Sequence, residues 1–234
     1  MSGDRGSSSA AVLRRRLRAH ADPDAVPILR RFFKTGPGDY GEGDVFIGVK
    51  VPAIRAVARE GRTLPLDDNL ALLRSRVHEE RLLALILLVD RFRRGDGDAR
   101  RRVYIAYLAH TRYVNNWDLV DASAPPILGG WLEGRSRRPL VRLARSRLVW
   151  ERRMAILATF HFVKRGEVDE TLRIAEILLE DEHDLIHKAV GWMLREVGKR
   201  DRDAARRFLE RHARSMPRTM LRYAIERFAP AERK

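Results

Sequence analysis

The sequence predicts an all-α fold built from stacked helical repeats, and three observations carry that prediction. Apolar residues recur at helical spacing along nearly the whole chain, and no alternating strand pattern interrupts them. Glycine punctuation divides that periodicity into short helices rather than a few long ones. Finally, Glu80-Arg81-Leu82-Leu83-Ala84-Leu85-Ile86-Leu87 superposes on Glu151-Arg152-Arg153-Met154-Ala155-Ile156-Leu157-Ala158 at an offset of 71, and Arg94-Gly95 falls on Arg165-Gly166. About half that offset relates Ala189-Val190 to Ala224-Ile225. A helix pair every ~35 residues is the period of an α-solenoid of HEAT-like units, whose inner helices line one concave, here basic, groove.

Taken in order, residues 1–8 (Met-Ser-Gly-Asp-Arg-Gly-Ser-Ser) are small and polar and predict a disordered tail, leaving one repeat domain over 9–234. Helices are expected over 9–20 and 24–34. The stretch Gly36-Pro37-Gly38-Asp39-Tyr40-Gly41-Glu42-Gly43-Asp44 carries four glycines and reads as an irregular connector that reaches the groove. It is no phosphate-binding loop, because it lacks the closing Gly-Lys-Ser/Thr and a preceding strand. Helices over 52–60, 67–76, 78–94 and 98–110 follow, the last two parted by Gly95-Asp96-Gly97. The next, 116–123, takes Asn115 or Asn116 as its N-cap. Beyond it the periodicity gives 125–133, 137–145, 148–165, 168–179, 183–198, 201–213 and 217–228, with Gly166 and Gly198 as stops.

Composition narrows the partner. The chain has 234 residues, 44% of them hydrophobic, enough for an ample core. Lys+Arg 47 against Asp+Glu 32 gives a formal charge of +15, carried almost wholly by arginine. A charge this large selects a polyanion, with nucleic acid first and an anionic membrane surface second. No long apolar segment or signal-peptide pattern supports the membrane. The absence of cysteine excludes disulfides, thiolate zinc sites and cysteine nucleophiles. The expectation is a soluble, cytoplasmic, bacterial protein, monomeric and associated with the nucleoid when bound to DNA.

Within Tyr113-Val114-Asn115-Asn116-Trp117-Asp118-Leu119-Val120-Asp121, Trp117 and Asp121 stand four residues apart, on one face of a helix. An aromatic surface beside an acid suits a cationic ligand. Arg153 lies 36 residues after Trp117 and Trp192 lies 39 after Arg153, each about one repeat, so all could project into one groove. Arg153 falls on the apolar stripe Val149, Ile156, Phe160 and Val163, where a charge needs a partner. Lys188 and Arg195 bracket Trp192 by about one turn. Taken singly, Trp192 reads as packing and Asp121 as a cap or an ion-pair partner of Arg153. His183 and His187 have i, i+4 spacing but no third ligand nearby, so no metal is expected.

Three blocks, Val114-Asn115-Asn116-Trp117-Asp118-Leu119-Val120-Asp121, Trp150-Glu151-Arg152-Arg153-Met154-Ala155-Ile156-Leu157 and Lys188-Ala189-Val190-Gly191-Trp192-Met193-Leu194-Arg195-Glu196, resemble the signature blocks of the AlkD-type DNA alkylation-repair glycosylases. A further match, Phe46-Ile47-Gly48-Val49-Lys50-Val51-Pro52-Ala53-Ile54-Arg55, extends the similarity over about residues 22–228. The resemblance implies a HEAT-like solenoid holding duplex DNA, with Asp121, Trp117, Trp192 and Arg153 as the catalytic set. It also implies Arg153, Arg152, Arg195 and Lys188 as DNA contacts, with no cofactor. One departure is that family members carry a tyrosine on an early helix where this chain has Phe32 or Phe33. That change removes a hydroxyl near the lesion.

The implied reaction is hydrolysis of the N-glycosidic bond of N3- or N7-alkylated purines, whose positive charge already makes the base a good leaving group. Asp121 would stabilise the oxocarbenium-like sugar and position water, the tryptophans would pack on the deoxyribose, and Arg153 would hold a phosphate. Lysine is scarce, so no amine is poised for a lyase step and an abasic site is the expected product. The competing readings are a non-catalytic binder of branched or distorted DNA and a scaffold for an acidic protein.

Overall fold

The structure is a computed structural model that describes residues 9–229. The tail expected over 1–8 lies outside the described residues. The all-α expectation is met: among the described residues extended pairing is confined to an isolated parallel bridge between Val45 and Val77. The chain divides into two compact units of nearly equal length, one up to Ser123 and one from Ala124.

The first unit comprises α1 (Ala10–Arg18), α2 (Val26–Phe32), α3 (Val51–Glu60), α4 (Leu66–Leu73), α5 (His78–Arg94), α6 (Gly97–Ala109) and all but the last residue of α7 (Trp117–Ala124). Ser9 caps α1 and Asp96 caps α6 by accepting N–H groups three residues on, which supplies the orphan donors of a first turn. α5 is the axis of this unit, with α3, α4 and α6 packed around it. Leu83, Leu85 and Leu88 are therefore fully buried on different faces of one helix. Each such burial contributes ~1.5–3 kcal/mol.

Two acids at the start of α5 fasten chain segments to it. Glu80 receives Arg14 and Arg18 of α1. Glu79 accepts the backbone N–H groups of Ile47, Gly48 and Val49 at 3.1, 2.9 and 3.3 Å. That turn requires glycine at 48, where φ is +84° and a Cβ would meet the Asp22 carbonyl oxygen at 1.9 Å.

The second unit contains a π-helical turn (Pro125–Gly129), then α8 (Gly130–Leu132), α9 (Arg138–Ala144), α10 (Val149–Ala158) and α11 (Phe160–Val163). It continues through α12 (Asp169–Ile177), α13 (Asp184–Arg200), α14 (Arg202–His212) and α15 (Arg218–Ala224). α13 is its axis, in contact with α10, α14 and α15. Gly191 permits the α13–α15 crossing, since a Cβ there would meet the Met220 carbonyl oxygen at 2.4 Å and Tyr223 Cβ at 2.6 Å.

The offset of 71 reappears as duplicated bonding. Arg81 Nη1 donates to the carbonyls of Ser75 and Arg76 at 3.1 and 3.0 Å, and Arg152 Nη1 donates to those of Ser146 and Arg147, both at 3.0 Å. In each copy the serine Oγ accepts a backbone N–H two residues on, from Val77 and Leu148. Each hook thus ties the turn before a long helix to that helix's first coil.

Several helix boundaries differ from those expected. The helix expected over 24–34 opens as a 3-10 turn, Pro23–Ala25, capped by Asp22. The one over 67–76 stops at Leu73, where the serine hook begins. The single helix expected over 148–165 is broken at Thr159, whose hydroxyl bonds the Ile156 carbonyl at 2.6 Å. Such back-bonding bends helices, and Leu88 at the equivalent place leaves α5 unbroken. The segment over 125–133 is mainly π-helical, because Pro125 and Pro126 have no N–H to offer the Asp121 and Ala122 carbonyls.

Candidate active site

α7 presents the Trp117–Asp121 pair expected from its spacing, and both side chains are half-buried. Asn116 starts the helix: its Oδ1 accepts the Trp117 N–H at 2.8 Å. Trp117 is the end of an aromatic stack. Phe33 lies parallel to it at 5.4 Å and is itself stacked on Phe46 at 5.0 Å. Phe32 meets Trp117 edge-on at 5.7 Å and is 61% exposed, whereas Phe33 is 8% exposed. Of the two candidates for the tyrosine position, Phe32 therefore faces solvent and Phe33 supports the indole.

Beneath the stack runs a buried charge relay that positions α7. His78 Nδ1 is 3.1 Å from Asp44 and its Nε2 is 2.8 Å from Asp118, so one imidazole bridges two carboxylates. Arg81 donates to Asp44 at 2.6 Å, and the amides of Asn115 and Asn116 donate to the same carboxylate at 3.4 and 3.3 Å. Burial opposes charge on His78, but the hydrogen bonds it donates to Asp118 and Asp44 outweigh it and raise its pKa above the ordinary value. Burial also opposes ionisation of Asp44, yet the His78 bond and the Arg81 charge hold its carboxyl below the usual range. The glycine-rich connector delivers Asp44 to this network, and Asp118, which faces away from the Trp117–Asp121 side, is spent on it. Sequence reasoning missed Asp44, His78 and Arg81 as supports. Their polar character at the ends of a loop and a helix was the only signal, and no local period links positions 34 and 40 residues apart.

Asp121 is backed by α6. Tyr107 is fully buried there and bonds the Ser123 hydroxyl at 2.8 Å. Burial pushes its phenol above the ordinary value, the Ser123 bond pulls the other way, and the negative charge of Asp121 adds to the rise.

The other two expected residues belong to the second unit. Arg153 on α10 is 6% exposed, and its Nη1 donates to the Leu185 carbonyl in the first turn of α13 at 2.8 Å. Trp192 on α13 is half-buried, tilts against Phe160 at 5.8 Å, and donates Nε1–H to Glu196 at 3.3 Å.

The expected cationic contacts are engaged within the protein. Lys188 pairs with Asp184 at 2.6 Å and Arg195 pairs with Glu226. Pairs involving such exposed acids are worth ~0–1 kcal/mol, so an anion can displace them. Arg152 differs: it holds the buried Asp181 at 2.5 Å as well as two carbonyls. Its geometry is that of a structural hook. His183 accepts the Leu185 N–H as the cap of α13, and His187 bonds the Asp181 carbonyl, which accounts for that histidine pair.

A protein family described as DNA alkylation repair enzyme matches residues 13–228. The chain belongs to that family. Within the DNA alkylation repair family it resembles the solved structure of a predicted DNA alkylation repair enzyme from Enterococcus faecalis. That likeness has a TM-score of 0.70 and 19% identity, and covers 90% of this chain and 98% of that one. A second solved structure, smu.31 from Streptococcus mutans UA159, superposes with a TM-score of 0.55 at 16% identity, covering 94% and 99%. Both likenesses concern the fold. No curated protein matches the chain. Membership in the DNA alkylation repair family makes DNA the substrate class, in keeping with the +15 charge. Among the described residues no helix is long and apolar enough to cross a membrane.

Proposed function

We propose that this protein is a monofunctional DNA N-glycosylase that releases cationic N3- and N7-alkylated purines from duplex DNA and leaves an abasic site. The observation that carries the reading is the Trp117–Asp121 pair, an aromatic face and a carboxylate on one side of a helix whose start is fixed by a buried ionic network. A site that must meet a developing positive charge gains from groups that need no reorganisation, and α7 is held in that way.

In this reading Asp121 stabilises the oxocarbenium-like sugar as the base departs and orients the water that attacks it. Trp117, braced by Phe33, offers its π face to the deoxyribose, and the family resemblance gives Trp192 a like role. Arg153 is given a backbone phosphate by the family resemblance, with its Nη1 kept on the Leu185 carbonyl. Lys188 and Arg195 exchange their surface carboxylates for phosphates, and Arg152 is left to its structural role. The alkylated base carries its own positive charge, so no protein acid is required.

The test is incubation of the protein with duplex DNA containing 7-methylguanine and 3-methyladenine, scoring free base. Asp121→Asn should lower release by about 10²–10⁴-fold while duplex affinity stays near that of the unchanged protein. Undiminished release by that variant would remove Asp121 from the mechanism. Tight binding without any release by the unchanged protein would favour a non-catalytic reader of distorted DNA.

A further inference from the structure

The first unit holds a cleft that the chemistry above does not use. Arg55 and Arg59 on α3, with Arg62 just beyond its end, fall at i, i+4 and i+7 along one stripe. The facing stripe of α5 supplies Asp90 and Arg93, and Ala58 and Val89 form an apolar floor. The space enclosed is about 330 Å³, within the range of ligand-binding clefts.

Its charge is unbalanced. Four arginines line the cleft against the single carboxylate of Asp90. Asp90 is shared, since Arg94 holds it at 2.7 Å and Arg62 reaches it only at 3.8 Å. Among the described residues the guanidinium groups of Arg55, Arg59 and Arg93 make no ion pair or hydrogen bond. Elsewhere many arginines are matched: Arg14 to Glu80, Arg137 to Glu167, Arg173 to Glu170. Like charges at i, i+4 repel along a helix, and Arg93 of α5 brings a further cation to the same cleft. A bound anion relieves both. Guanidinium forks select an oxyanion with several acceptors, which is the chemistry of a phosphate.

Position identifies which phosphate. One wall of the cleft is Ala122, the residue after Asp121 on α7. We propose that the Arg55–Arg59–Arg93 cleft is a subsite for a backbone phosphate of the DNA duplex, setting the strand's register against Asp121. The proposal rests on DNA being the substrate, as read above.

The experiment replaces Arg55, Arg59 and Arg93 together by Gln and measures affinity for undamaged duplex over a range of salt. A control replaces Arg76, Arg101 and Arg102, exposed arginines outside the cleft, for the same loss of charge. The cleft variant should lose about tenfold in affinity, and its log–log salt slope should fall by at least about 0.9, one phosphate contact, with the thermal midpoint no lower than that of the unchanged protein. The control should shift the slope by less than half as much. Equal shifts in the two variants would overturn the subsite in favour of a diffuse field. A third arm adds inorganic phosphate alone. Thermal stabilisation by phosphate that needs the three arginines, with an unchanged DNA slope, would make this a free-anion site and overturn the assignment to DNA. Base release is read separately. A cleft-dependent slope without release leaves the subsite standing and removes the glycosylase reading, whereas release with equal slopes does the reverse.

Discussion

A buried imidazole with a carboxylate at each nitrogen is held in its charged form, and His78 is so placed between Asp44 and Asp118. Its raised pKa has a defined consequence for stability. A group whose folded pKa exceeds its unfolded value, about 6.5 for histidine, stabilises fully below that value and loses the contribution as pH rises through the folded one. The thermal midpoint should therefore decline between neutral and alkaline pH, and His78→Gln should flatten that decline while lowering the midpoint at pH 6. Melting curves at pH 6 and pH 9 on both proteins check this. An identical alkaline decline in the variant would show that His78 does not carry it. The same residue scale explains why Asp118, adjacent to Trp117 in sequence, serves α7 as an anchor: its side chain is turned toward α5, where His78 waits.

Elements pack here through particular small residues, and α13 gives a paired test. At Gly191 an added methyl would collide with the Met220 carbonyl and Tyr223 of α15, whereas at Gly198 a methyl meets Ala205 and Phe228 at 3.5 and 3.6 Å, ordinary contact. Gly191→Ala should cost about 1–3 kcal/mol by overpacking. Gly198→Ala should be neutral or stabilising by up to about 1 kcal/mol, because alanine favours a helix interior. Denaturant unfolding of the two variants measures both, and equal effects would refute the close-approach argument. Helices of this kind were legible in the sequence because periodicity, caps and glycine stops are local signals. The repeat was legible through Glu80–Leu87 and Glu151–Ala158, within which Arg81 and Arg152 make the same bonds. The break at Thr159 and the π-turn at Pro125–Gly129 were not, since each depends on how one side chain or imide nitrogen meets the carbonyl of an earlier turn. The Trp117–Asp121 pair was legible by its spacing alone, whereas the Asp44–His78–Arg81 support joins a loop to a helix and leaves no periodic trace.

Across the whole molecule the governing quantity is charge. At neutral pH 32 acids temper 47 lysines and arginines, and several do so in pairs that fasten helices together, as Glu80 does with Arg14 and Arg18. Acid removes that balance twice over. The carboxylates neutralise while every lysine and arginine remains charged, so self-repulsion grows. At the same time Asp44 is lost from its network. Burial works against its ionisation, but the His78 bond and the Arg81 charge hold its pKa below the ordinary value. A depressed carboxylate contributes stability that is complete above its unfolded pKa, about 3.9, and is lost as pH falls through the folded one. The thermal midpoint should thus fall steeply below about pH 4. Salt should restore part of the loss, because about 0.1 M shortens the reach of exposed charges to about 10 Å, while the buried network is little screened. Asp44→Asn separates the two causes: it should melt lower than the unchanged protein at pH 7 and show a shallower acid limb. An acid limb as steep in that variant, and wholly recovered by salt, would assign the loss to net repulsion alone.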